Sequence, residues 1–155
     1  MKIAANGVIL NYRLDGPEDA PWLMLSNSLA TNLSMWDGQV AEWAQHYRVL
    51  RYDQRGHGES EARAGNYDFD MLADDAAALM TALGIGQCHF LGLSMGGMTA
   101  MGLGLNHADR VKSLTICNSR ADVTPDFREI FDVRIALALK EGMEPLVKST
   151  VDRWF

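Results

Sequence analysis

Cys88-His89-Phe90-Leu91-Gly92-Leu93-Ser94-Met95-Gly96-Gly97 decides the fold. The apolar run from Cys88 to Gly92 reads as a buried strand, and Met95 to Asn106, built from small and apolar residues, reads as a helix that follows at once. Between them Gly92-Leu93-Ser94-Met95-Gly96 is a Gly-x-Ser-x-Gly turn that forces Ser94 into a sharp, strained bend. A serine hydroxyl is a poor nucleophile unless a rigid support projects it toward a base. Gly92, Gly96 and Gly97 keep side chains out of the space where strand and helix nearly touch. The Met95 N–H then faces a developing oxyanion, and the dipole at the helix start adds to it. The five residues alone are a weak motif; the strand before them and the small-residue helix after them make it specific.

Outward from this turn, strands alternate with helices. Lys2 to Ala5 and Ile9 to Leu14 flank Asn6-Gly7, a strong hairpin signal, and Asp15-Gly16-Pro17 turns the chain again. Trp22 to Leu25 is a short buried strand. Met35 to His46 places Trp36, Val40, Trp43 and Ala44 near helical spacing, and Tyr47 to Tyr52 is a further strand. Phe69 to Leu83 is amphipathic, with Leu72, Ala76, Leu79, Met80 and Leu83 on one face and Gly84 as its cap. Val111 to Cys117 is the strand after the serine-bearing helix. The pattern predicts an α/β fold with a mostly parallel sheet flanked by helices. From Pro125 it changes: Phe127 to Lys140 and Met143 to Trp154 are two helices with no strand between them.

Composition narrows the function. The 155 residues are 48% hydrophobic and 22% charged, as in a globular domain with a sizeable core. A net charge of −6 without a Lys/Arg cluster argues against nucleic acid as a partner, and no apolar run approaches a membrane span. Cys88 and Cys117 are expected at opposite ends of neighbouring strands, too far apart to bridge, which points to reduced thiols and a cytoplasmic home. His46, His57, His89 and His107 are scattered singly, so no metal is expected.

An acyl-transfer site needs a second oxyanion donor from the loop after an earlier strand. Ser26-Asn27-Ser28-Leu29-Ala30-Thr31 is suitably small and polar, and the Leu29 N–H is the candidate. Asp53-Gln54-Arg55-Gly56-His57-Gly58 invites a reading with Asp53 and His57 as partners of Ser94. Gly56 and Gly58 argue instead for a tight structural loop whose Asp and Arg pair locally. Downstream of Ser94 the one histidine is His107, 13 positions along the helix and therefore roughly 20 Å away. It cannot be the base.

Three motifs together resemble the serine α/β-hydrolase superfamily: Gly92-x-Ser94-x-Gly96-Gly97, Asp53-x-Arg55-Gly56-x-Gly58-x-Ser60, and the loop after the third strand. A narrower resemblance is to the 3-oxoadipate enol-lactonases of the β-ketoadipate pathway of aromatic catabolism. It rests on Leu25-Ser26-Asn27-Ser28-Leu29, Ser34-Met35-Trp36-Asp37, Arg48-Val49-Leu50-Arg51-Tyr52-Asp53, Ile116-Cys117-Asn118 and Arg153-Trp154-Phe155, with Ala30 where a glycine is expected. The resemblance implies a nucleophile at Ser94, an oxyanion hole from Leu29 and Met95, a small lactone or ester substrate, and no cofactor. It also implies a division into the first part of the hydrolase core, residues 1–119, and the start of a helical lid, 120–155. Family members run on well past this length, so the acid and histidine are expected beyond Phe155. Because the substrate carries a carboxylate, a basic lid residue should face it: Arg134, with Arg120 behind, the alternative for each being a solvated charge. Two other functions stay open, a general esterase of different specificity and a non-catalytic binding protein. The 155 residues alone are expected to be inactive and prone to self-association, with Val111 to Cys117 as an open edge and Ile130, Ile135, Leu137 and Leu146 uncovered.

Overall fold

The computed structural model describes residues 1–154; Phe155, the last of the Arg153-Trp154-Phe155 motif, lies outside the described residues. The strands are β1 (Lys2–Ala5), β2 (Val8–Asp15), β3 (Trp22–Ser26), β4 (Arg48–Tyr52), β5 (Cys88–Leu93) and β6 (Val111–Cys117). The helices are α1 (Asp37–Trp43), α2 (Phe69–Ala82), α3 (Met95–Asn106), α4 (Pro125–Glu141) and α5 (Glu144–Trp154). The chain divides into two compact units, Met1–Ala121 and the residues from Asp122 onward.

In the first unit six strands form one sheet in the order β1-β2-β4-β3-β5-β6. β1 and β2 make the expected hairpin, with Asn6 and Gly7 both at positive φ, and β2 runs antiparallel to β4. From β4 to β6 every pairing is parallel. Pleating divides the core. Leu50, Met24 and Phe90 stand in register on three adjacent strands and pack with α2 and α3 residues, including Leu79, Met80 and Leu103. Leu23, Leu25 and Val49 face the other way, against Trp36 and Trp43. Burial on both faces explains why Trp22 to Leu25 in β3 reads as a continuous apolar run.

In β4 Arg51 is a buried charge, at 2% exposure. Its Nη2 lies 2.8 Å from Asp15 and its Nη1 2.5 Å from Asp37, so both carboxylates meet one guanidinium. α2 starts on Asp68, whose side chain accepts from the Met71 N–H at 2.8 Å. It ends in a Schellman turn: Gly84 has φ +70, its N–H reaches the Thr81 carbonyl at 3.1 Å, and the Ile85 N–H reaches the Met80 carbonyl at 2.8 Å.

The helix expected over Met35 to His46 is divided. A 3-10 turn covers Leu33–Trp36, started by Asn32, whose side chain accepts from the Ser34 N–H at 2.9 Å, and α1 is only Asp37–Trp43. Side-chain spacing carried the prediction past both limits, because apolar contacts with the sheet continue into the flanking turns. Cys88 and Cys117 are free, as expected. Cys117 lies opposite Leu93, five residues along the strand from Cys88, or roughly 16 Å.

In the second unit, α4 opens with Pro125 at its first turn and closes at Gly142, φ +80. Ile130 and Ile135 are about half exposed, whereas Leu146, expected to be uncovered, is buried to 7%. A linear apolar pattern does not tell which residue of a helix pair turns inward.

Candidate active site

Strand order places the site. After β3 the chain crosses to β4 on one side; after β5 it crosses to β6 on the other. The carboxyl ends of β3 and β5 therefore flank a topological switch point, where neighbouring loops diverge and leave a crevice. The loop Ser26–Thr31 leaves one of these ends and Ser94 the other, with Ser26 paired to Gly92 in the sheet.

Ser94 is the corner itself, with φ 54 and ψ −112, a conformation that costs about 1–3 kcal/mol in a non-glycine residue. Its N–H donates to the Cys117 carbonyl at 2.9 Å, and its carbonyl accepts from the N–H groups of Gly97 and Met98 at 2.9 and 3.1 Å. The surrounding glycines leave no room. A Cβ on Gly92 would strike the Gly96 carbonyl, one on Gly96 the Ser26 carbonyl, and one on Gly97 the Ser119 hydroxyl. Met95 is the first residue of α3, so its N–H has no acceptor one turn back.

Across the crevice, Ser26, Asn27 and Ser28 are buried while Leu29 is 36% exposed. Ala30 holds φ +61, the left-handed conformation that favours the glycine expected at this position. Among the described residues no acceptor takes the Leu29 or the Met95 N–H. Asn27 Oδ1 is buried without a partner among the described residues. The Tyr52 hydroxyl, 3.1 Å from Ser26 Oγ, is pushed well above its ordinary pKa by burial, with the Ser26 bond opposing the shift.

Gln54 joins the two sides. Its Nε2 donates to the Asn27 carbonyl at 2.7 Å, and its Oε1 accepts from Thr99 Oγ1, on α3, at 2.9 Å. Gln54, Asn27 and Thr99 are all 1% exposed or less. Sequence reading missed Gln54, Thr99, Thr31 and Ser119, since neutral hydroxyls and amides carry no periodicity or charge; only the position of Gln54 inside the charged loop hinted at it.

The Asp53 loop is structural, but its charges do not pair locally as expected. Asp53 accepts from the N–H groups of Leu33 (2.7 Å) and Glu59 (2.9 Å) and from Asn11 Nδ2 (2.8 Å). Arg55 goes instead to Asp75 on α2. The two side chains leave the loop in different directions, and each finds a partner twenty residues or more away. Gly58, φ +51, lets the loop close over Asp53, whose carboxylate occupies the space of a Cβ.

No histidine of this stretch stands at the serine. His107 caps α3 at its far end and meets Asp74 at 2.7 Å. His89 lies at the opposite end of β5, bonded to Ser113 at 2.8 Å, His57 Nδ1 is 3.1 Å from the Arg55 carbonyl, and His46 is exposed after α1. Arg120 follows β6 in the first unit, and Arg134, in the second, donates to Thr150 Oγ1 at 3.2 Å. Among the described residues no group of His, Cys, Asp and Glu could hold a metal ion, and no helix is long and apolar enough to cross a membrane.

Comparison with known proteins agrees with this architecture. The 3-oxoadipate enol-lactonase 2 of Acinetobacter baylyi is 38% identical over 153 residues, which is 99% of this chain and 57% of the relative. A protein of Pantoea ananatis named as a carbamate hydrolase, RutD, is 33% identical over 141 residues, 89% of this chain and 51% of that one. The crystal structure of the enol-lactonase from Burkholderia xenovorans LB400 superposes with a TM-score of 0.94 at 46% identity, covering all of this chain and 60% of that one. The chain thus spans between half and two thirds of the length of these relatives. The family model for the alpha/beta hydrolase fold matches residues 21–149, and the chain belongs to that family.

Proposed function

We propose that this protein is a serine-type carboxylic-ester hydrolase that opens a small lactone, with 3-oxoadipate enol-lactone as its substrate. One observation carries the chemistry: Ser94 holds a strained corner after β5, next to the Met95 N–H and across from the loop that carries Leu29, and neither N–H has an acceptor among the described residues. The similarity to proteins named enol-lactonases supports the substrate.

In this reading Ser94 Oγ attacks the lactone carbonyl carbon while a base takes its proton. The carbonyl oxygen becomes an oxyanion facing the Leu29 and Met95 N–H groups. Collapse breaks the ring C–O bond and leaves an acyl ester on Ser94, with the departing oxygen carrying the proton as an enol. Water then attacks the ester, the base takes its proton, and Ser94 Oγ leaves protonated. One water has been added across one C–O bond, and the enol relaxes to the ketone. No cofactor is needed. His107, His89, His57 and His46 are all engaged or placed elsewhere, so the base is a histidine outside this stretch, oriented by a carboxylate. Residues 120–155 act as a lid, from which Arg134, or Arg120 behind it, meets the substrate carboxylate. The unbridged thiols support a cytoplasmic setting.

A second reading, hydrolysis of another small ester or carbamate, is favoured by the likeness to the Pantoea ananatis protein. Turnover by the protein expressed from its complete reading frame separates the two. A preference of about a hundredfold or more in kcat/KM for the enol-lactone over p-nitrophenyl acetate is expected; equal values select the second reading. Ser94→Ala should lower kcat by at least about a thousandfold, and near-normal turnover in that variant overturns both.

A further inference from the structure

The two N–H groups assigned above as oxyanion donors share a feature that their own residues do not explain. Each belongs to a peptide unit whose carbonyl end is gripped by a side-chain hydroxyl. The Leu29 N–H shares its peptide with the Ser28 carbonyl, which accepts from Thr31 Oγ1 at 2.8 Å. The Met95 N–H shares its peptide with the Ser94 carbonyl, which accepts from Ser119 Oγ at 2.6 Å. No cis peptide occurs among the described residues, and in a planar trans peptide the C=O and N–H point in opposite directions. Holding the oxygen therefore aims the hydrogen.

From this geometry we infer that Thr31 and Ser119 are positioning residues that aim the two oxyanion donors. The inference rests on reading Leu29 and Met95 as those donors. The clamps differ in how much they carry. The other donor to the Ser28 carbonyl is the Thr31 N–H itself, at a long 3.3 Å, and the next residue back, Ala30, sits at φ +61. Without the hydroxyl, little opposes rotation of the Ser28–Leu29 peptide. Thr31 Oγ1 also lies 3.2 Å from Met35 Sδ, but sulfur is the weaker acceptor. The Ser94 carbonyl keeps two helical donors, Gly97 and Met98, whatever happens at Ser119. Ser119 Oγ is shared with the Cys117 carbonyl at the longer 3.1 Å. It reaches Ser94 only because Gly97 has no Cβ. Thr31 is thus the stronger clamp and Ser119 the reinforcing one.

Removing an oxyanion donor outright costs about a hundredfold to a thousandfold in kcat, so a donor left in place but free to swing costs less. With p-nitrophenyl acetate and the protein from its complete reading frame, Thr31→Val should lower kcat about tenfold with KM within about twofold. Thr31→Ser, which keeps the hydroxyl, should restore kcat to within about twofold, and Ser119→Ala should cost only about threefold. A trifluoromethyl ketone, which forms a tetrahedral adduct, should lose affinity in Thr31→Val by the same factor as kcat. Melting temperatures of the variants, close to that of the parent, separate aiming from collapse. If Thr31→Val keeps full kcat while Ser94→Ala abolishes turnover, the clamp is wrong and the serine reading stands. If Thr31→Ser is as impaired as Thr31→Val, the residue acts through packing and the inference fails. If Ser94→Ala retains turnover, the underlying reading fails first.

Discussion

Arg55 and Asp75 meet in a two-pronged buried pair, Nε to Oδ2 and Nη2 to Oδ1, both at 2.5 Å. Asn6 Nδ2 adds a third bond to Asp75 at 2.8 Å, tying the first hairpin, the Asp53 loop and α2 together. With Arg55 at 7% and Asp75 at 1% exposure, neither charge has water to fall back on. Arg55→Met should therefore cost about 3–5 kcal/mol in urea unfolding, because it strands a buried carboxylate. The double variant Arg55→Met/Asp75→Leu should recover most of that loss. Equal stability of parent and Arg55→Met would show that water reaches the pair.

The strain at Ser94 is measurable without any substrate. Ser94→Ala and Ser94→Gly both remove Oγ, but only glycine is at ease at φ 54. The glycine variant should be the more stable of the two by about 1 kcal/mol, after its greater unfolded-state entropy is set against the relief. An alanine variant as stable as the glycine one contradicts a strained corner.

Close approach at the corner gives a sharper contrast. Gly96→Ala would drive a Cβ into the Ser26 backbone, whereas Gly86 has nothing within 4 Å of where its Cβ would stand. Gly96→Ala should lose about 3 kcal/mol or more and separate β3 from α3, while Gly86→Ala should change stability by less than about 1 kcal/mol. Thermal melts of the two variants decide this.

Burial pushes the Cys88 thiol from an ordinary pKa of 9.0 up to about 12, despite the opposing charges of Arg110 and Lys112. Ellman's reagent at pH 8 should therefore titrate only Cys117 in the folded protein and both thiols in urea. The same shift predicts a loss of stability with rising pH. Above pH 9 the unfolded chain releases this proton while the folded chain keeps it, so the thiol's contribution is complete below pH 9 and is lost by about pH 12. A melting temperature that rises over that interval contradicts the assignment.

How far the sequence could be read follows from where each determinant lies. The Ser94 corner was legible because its causes are local: glycines two positions either side, an apolar strand before and a small-residue helix after. Strand and helix order followed from periodicity, and Met95–Asn106 and Val111–Cys117 match their expected bounds. The partners of Asp53 and Arg55 were not legible, because Leu33 and Asp75 lie twenty residues off on other elements. Gln54 escaped for a different reason. A neutral amide matters only when two groups stand at both its ends, and Asn27 and Thr99 are brought there by the packing of α3 on the sheet. Leu146 shows the same limit for packing, since its sequence context does not tell that it is covered while Ile130 and Ile135 are half exposed.

The bonds that grip the Ser28 and Ser94 carbonyls, and the Gln54 bridge between Asn27 and Thr99, all close among residues 26 to 119, within the first compact unit. A corner braced by partners this few and this near can keep its shape while sequence elsewhere in the chain diverges.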